Sequence, residues 1–230
     1  MPKFQFADLP GWLGYAVVPR TERQLPWTPH HPHATVVLLE PDASWGELSE
    51  GAALQGASTE GDLALQYSEL SYVPMGCDDT PTQMVALTGP YDLGEIVVWV
   101  TPGPVATAVP IVEVASAAEK RTWTAGDLEI EVARTGEHAG RFVVRDGGKK
   151  AFDGKWEKTP MDQVELTPAD LTAPYDTAVP VPAGAFVLPG GERVLVLRTL
   201  GWEGITFEVL RDAGKEWKSA GKQYLYMCAV

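Results

Sequence analysis

The sequence predicts a mainly β protein, built as an antiparallel β-sandwich or two packed antiparallel sheets with little helix. Three observations carry this. Apolar residues recur with period 2 in most of the strongly hydrophobic segments. Nineteen prolines and 23 glycines in 230 residues make turns frequent and long helices rare. In the second half, Gly-centred turns fall repeatedly between alternating segments, which is the spacing of hairpins.

Taken in order, "HATVVLLE" (33–40) is a short β-branched and aliphatic run bounded by proline on both sides, the pattern of a strand buried on both faces. Ser44 with Glu47 three residues on resembles a capping box before "ELSEGAAL", although Gly46 and Gly51 weaken a helix there. "LALQYSELSYV" (63–73), "TQMVALTG" (82–89), "GEIVVWVTP" (94–102) and "VPIVEVAS" (109–116) are further strands. "GDLEIEV" (126–132) places Leu128, Ile130 and Val132 on one face and Glu129 and Glu131 on the other, the alternation of a half-solvated antiparallel strand. Hairpin turns are expected at Asp146-Gly147, at Pro189-Gly190-Gly191 and between Asp212 and Gly214. His138 falls at a further hairpin tip, "TPADL" (167–171) is a single helical turn at most, and "KQYLYMCAV" is a final strand. The Pro-punctuated "TPGPVATAVP" (101–110) marks a seam. It divides the chain into an acidic β-rich half (1–115) and a hairpin-rich half (116–230), and one continuous domain would accommodate both.

The chain is long enough to bury a substantial core without staples. Cys77 and Cys228 make no disulfide framework, which points to a reducing, cytoplasmic setting of bacterial type. No basic-then-apolar leader opens the sequence, and no apolar run approaches the roughly 18 residues of a membrane-spanning helix, so neither a signal peptide nor a membrane partner is expected.

Charge is the most unusual feature. Between Arg23 and Lys120 lie 96 residues with no Lys or Arg and 13 carboxylates, among them Glu40, Asp42, Glu47, Glu50, Asp78 and Asp79. At average usage such a gap arises roughly once in a thousand chains or less. A solvated acidic surface that maintains solubility accounts for it, and so does a surface built for a cationic partner. Nucleic acid is excluded as a direct partner, because phosphate contacts require clustered Lys and Arg.

Candidate chemistry concentrates in "PHHPH", with His30, His31 and His33. In an extended segment His31 and His33 point the same way, and neutral imidazole suits a divalent transition metal. Asp78 and Asp79 would complete the site if the turn "MGCDDTP" folds beside it. Glu40 and His30 have the wrong parity. A Pro- and His-rich loop with solvated imidazoles explains the same residues, as does a proton-linked role. Cys77 stands beside two carboxylates that discourage thiolate formation. No H-E-x-x-H, G-x-S-x-G, P-loop or G-x-G-x-x-G motif occurs. Among eight tryptophans, Trp99 lies in an apolar strand and is core, whereas Trp27 and Trp45 flank the first strong strand and are suited to protein or sugar contacts.

These features favour a non-enzymatic, immunity- or inhibitor-like binding protein whose acidic surface engages a basic macromolecular partner, using Glu40, Asp42, Glu47, Glu50, Asp78 and Asp79 with Trp27 and Trp45. That reading requires no cofactor. The alternatives are a metal-binding β protein or metal-dependent enzyme centred on His30, His31 and His33, and a sugar-binding module using the loop tryptophans.

Overall fold

The computed structural model describes residues 11–17, 35–38, 47–59, 61–75, 80–88, 96–103, 106–136, 139–157, 179–200, 204–212, 214 and 217–226. Among these there is no α-helix; the chain forms sixteen β-strands, in agreement with the fold class expected from sequence. The chain divides into two compact units. The first comprises Met1–Ala108, Phe186–Glu192 and Tyr226–Val230; the second comprises Val109–Ala185 and Arg193–Leu225.

The first unit contains a closed six-stranded barrel. Its strands are β1 (Trp12–Val17), β2 (Thr35–Leu38), β3 (Ala53–Ser58), β4 (Gly61–Met75), β5 (Thr80–Thr88) and β6 (Ile96–Thr101). The order around the barrel is β1-β2-β5-β4-β3-β6, every pair is antiparallel, and β6 closes onto β1. Closure gives each strand two partners and removes the sheet edges. Six strands enclose too little space for a channel, and side chains fill the interior. Leu54 opposes Leu65 across β3 and β4, and Tyr67 opposes Leu87 across β4 and β5; all four are buried. On β4 these inward residues alternate with exposed Asp62, Ala64 and Gln66. The opposite face of β1, β3 and β6 is buried as well: Leu13, Trp99 and Ala57 lie side by side in register with 0–1% exposure. Phe186 covers Trp99 with ring centroids 6.0 Å apart. It sits on the segment that pairs through Phe186↔Ala108 and Val187↔Thr107 with the two-residue strand β7 (Thr107–Ala108). Ser44 of the capping-box pattern lies outside the described residues. From Ser49 the chain makes a short turn in which Ala52 N–H donates to the Ser49 carbonyl, and it enters β3 at once. Gly51, with φ of 80°, donates to the Tyr67 carbonyl and so ties the turn to β4.

The second unit is a β-sandwich. One sheet has the order β12-β11-β10-β9-β8, from β8 (Ile111–Ala117), β9 (Lys120–Ala125), β10 (Leu128–Arg134), β11 (Ala139–Asp146) and β12 (Lys149–Glu157). The facing sheet runs β16-β15-β14-β13, from β13 (Val181–Val187), β14 (Arg193–Leu200), β15 (Gly204–Asp212) and β16 (Trp217–Tyr226), with β7 beyond β13. The core between them takes Trp123, Ile130, Val132, Phe142 and Trp156 from the first sheet and Leu195, Leu197, Leu210 and Trp217 from the second. Leu128, Ile130 and Val132 face inward and Glu129 and Glu131 outward, as the alternation requires. Val194, Val196, Phe207 and Val209, on the other face of the second sheet, are also buried, which explains why β14 reads as a nearly continuous apolar run.

The hairpin turns expected at 146–147 and 189–191 are present, and in the third expected turn Gly214 takes a φ of 84°. Gly147 and Gly148 take φ of 54° and 78° between Asp146 and Lys149, the two-residue turn whose twist matches the flanking strands. At Gly140 the constraint is space instead of φ. A Cβ there would lie 2.2 Å from two ring carbons of Trp156 and 2.5 Å from the Ala133 carbonyl. Substituting Gly140→Ala forces the buried indole out of place. The expected loss is about 1–3 kcal/mol in urea unfolding, with an unchanged m-value.

Candidate functional site

Most of the residues singled out from sequence lie outside the described residues: His30, His31, His33, Glu40, Asp42, Asp78, Asp79, Trp27 and Trp45, together with Cys77, Cys228, His138 and 167–171. Glu47 and Glu50 are described, and both are exposed in the turn that leads into β3. Among the described residues no group of three His, Cys, Asp or Glu side chains is arranged to hold a metal ion. Four of the eight tryptophans have described side chains; Trp99, Trp123, Trp156 and Trp217 are all buried at 9% exposure or less, so each serves the core.

The two units differ in how they handle charge. The barrel unit holds 14 carboxylates against Lys3, Arg20 and Arg23, a formal charge of −11; the sandwich unit holds 17 against 15 basic residues, a charge of −2. Glu47, Glu50 and Asp62 are exposed and make no ion pair among the described residues. A carboxylate with no cation nearby keeps its full field and projects it into solvent.

In the sandwich eight of the described acids are paired with a nearby cation, while Asp127 and Glu157 are exposed and make no ion pair among the described residues. On the outward face of the first sheet, Lys120 Nζ donates to Glu131 at 2.6 Å, and Arg145 bridges Glu129 at 3.0 Å and Glu131 at 3.3 Å. Asp153 accepts from Arg141 and, at 2.9 Å, from Lys150. The Arg141 guanidinium and then Lys150 hold the Asp153 carboxyl well below the usual carboxylate range. Beneath these charged heads, Val143 and Thr122 are buried. Glu113 on β8 accepts two bonds from Arg121, at 3.0 and 2.6 Å, and the same guanidinium lies 4.7 Å over the Trp123 ring.

The densest ionic group is centred on Arg193, at the start of β14. Its guanidinium donates to Asp146 at the end of β11, at 3.0 and 2.5 Å, and to Asp212 at the end of β15, at 2.9 and 2.5 Å. It also stands 5.5 Å over the Trp217 ring. Gly214 N–H donates to the second oxygen of Asp212 at 2.8 Å, which closes the β15–β16 turn. The group joins one sheet to the other at one end of the sandwich. Its bonds tie the end of β11 in one sheet to β14 and β15 in the other, which makes it a clamp across the sandwich. Sequence reasoning missed it because Arg193 and Asp146 are 47 residues apart and neither belongs to a motif.

No protein-family model matches the chain, and neither a curated protein nor a solved structure matches it. Function therefore rests on the chain's own geometry and charge.

Arg193 holds the Asp146 carboxyl below its ordinary value, against the opposing effect of burial. A carboxylate depressed in the folded state stabilises fully above the ordinary carboxylate pKa, and that stability is lost as pH falls through the lower folded value. Arg193→Met is expected to cost about 1–3 kcal/mol near pH 6, less than a fully buried pair because the partners keep 17–31% exposure. The gap from the parent protein should narrow as pH falls below about 4, in chemical denaturation at a series of pH values.

Proposed function

We propose that this protein is a non-enzymatic binding protein whose acidic barrel unit engages a basic macromolecular partner, in the manner of an immunity or inhibitor protein. One observation carries the reading: of a net charge of −13, the barrel unit carries −11, and its described carboxylates Glu47, Glu50 and Asp62 are exposed and make no ion pair among the described residues. If charge served solubility alone, a similar spread over both units would suffice. Among the described residues, the sandwich pairs eight of its acids with cations, whereas Glu47, Glu50 and Asp62 of the barrel unit pair with none. An unscreened field of one sign accelerates encounter with a partner of the opposite sign and discriminates against like-charged competitors.

Glu40, Asp42, Asp78 and Asp79 belong to the same Lys- and Arg-free stretch and are assigned to the same surface with Trp27 and Trp45, on sequence grounds. A setting in the bacterial cytoplasm is part of the same proposal; the structural fact beside it is that no helix among the described residues is long and apolar enough to cross a membrane. The metal reading at His31 and His33 gains no support from any described residue.

Reversing Glu47, Glu50, Asp78 and Asp79 to Lys is expected to slow association with the basic partner at least about tenfold at low salt, with a smaller change in dissociation. The parent protein's association rate should fall steeply as ionic strength rises, and the variant's should not. Stopped-flow or biosensor kinetics against a basic protein captured from cell extract checks both. Equal on-rates for parent and variant at low salt would overturn the proposal.

A further inference from the structure

We propose that β8 is a self-association edge, on which the β8 of a second copy of this chain adds as an antiparallel strand. This goes beyond the partner-binding reading and does not depend on it. Strand β8 is the terminal strand of its sheet and pairs only with β9. Residues 112–117 are all exposed. Val112 and Val114, at 54% and 55% exposure, are with Tyr224 the exposed large hydrophobics among the described residues.

Edge strands are normally guarded by Lys, by Pro or by being very short. The other edges of the sandwich follow that rule. Strand β12 carries exposed Lys149, Lys150 and Lys155, β16 carries exposed Lys218 and Lys222, and β7 is two residues long. Ile111–Ala117 has no Lys, Arg or Pro. Its one charge, Glu113, is already neutralised by the two bonds from Arg121. A β-bulge between Glu113 and Ala115 leaves Val114 without a partner on β9, which bends the strand but adds no charge to it.

Charge selects the occupant. A cationic partner finds no uncompensated carboxylate on β8, so this edge offers it nothing that the barrel unit does not offer better. A second copy meets no penalty here. With the two-fold axis at Val114, Val112 lies opposite Ser116 and Glu113 opposite Ala115, so no like charges face each other. The pairing joins two five-stranded sheets into one of ten. An interface of one strand pair is small, and the association is correspondingly weak, with dissociation constants in the micromolar range or above.

The test is sedimentation equilibrium of the full chain from about 1 µM to several hundred micromolar, at low and at high salt. A monomer–dimer equilibrium is expected that tightens at high salt, because copies of charge −13 repel and salt screens the repulsion. Val112→Lys with Val114→Lys should weaken the dimer at least tenfold and leave the circular dichroism and thermal midpoint unchanged. Tyr224→Lys, on the edge of the other sheet, should leave the dimer intact. If the double variant fails to fold, Val114→Lys alone, at the bulge, repeats the test. A monomer at every concentration and salt, or a dimer indifferent to Val112 and Val114, overturns the proposal. The opposite signs of the salt dependence keep its failure distinct from failure of the basic-partner reading.

Discussion

Where the described residues form no α-helix, backbone N–H and C=O groups must be satisfied between strands, and every strand then needs a neighbour on both sides or an edge that water can serve. Both units are answers to that one requirement. The barrel closes β6 onto β1 and leaves no edge. The sandwich stays open, and its outer strands must each be kept from pairing with whatever they meet. Lysines on β12 and β16 do this; β8 carries no lysine and has only the bulge at Val114. The uneven treatment of edges is thus a property of the fold's hydrogen-bonding problem as much as of its surface.

Much of the fold was legible because its signals are local. The alternation of Leu128, Ile130 and Val132 with Glu129 and Glu131 needs only the period of a strand. Gly147 and Gly148 need only a turn that demands positive φ. Barrel closure was not legible, since it depends on β6 standing between β1 and β3, strands far from it in sequence. The first and third strands of the barrel and β9 went unread because their apolar residues are few or interrupted by glycine, threonine or arginine, and it is their neighbours that make them strands.

The candidate surface was legible in part. The Lys- and Arg-free stretch is a sequence fact, and the structure adds that most of it lies in the barrel unit while its last strand, β8, belongs to the sandwich. The same absence has two physical consequences. On the barrel it leaves Glu47, Glu50 and Asp62 with no cation close in sequence, so their field reaches outward. On β8 it removes the guard residues that an edge strand ordinarily carries. The ionic clamp at Arg193 had no such signature, because its partners come from three separate strands and converge only once both sheets are formed.

The supply of basic residues, 3 against 15, separates the two units and decides how far their acids can be paired. Among the described residues, eight basic residues of the sandwich unit pair with its own acids: Lys120 and Arg145 on Glu131, Arg141 and Lys150 on Asp153, Lys222 on Glu208, Arg121 on Glu113, Arg134 on Glu119 and Arg193 between two sheets. Exposed pairs of this kind contribute little to stability individually, so stability alone does not require so many. Their collective effect is to bring the described acids of the sandwich close to local balance, so that the formal charge of the molecule resides mainly on the barrel unit, −11 against −2. A net charge concentrated in this way acts over a longer range than paired charges do, because opposite charges a few ångströms apart cancel at a distance.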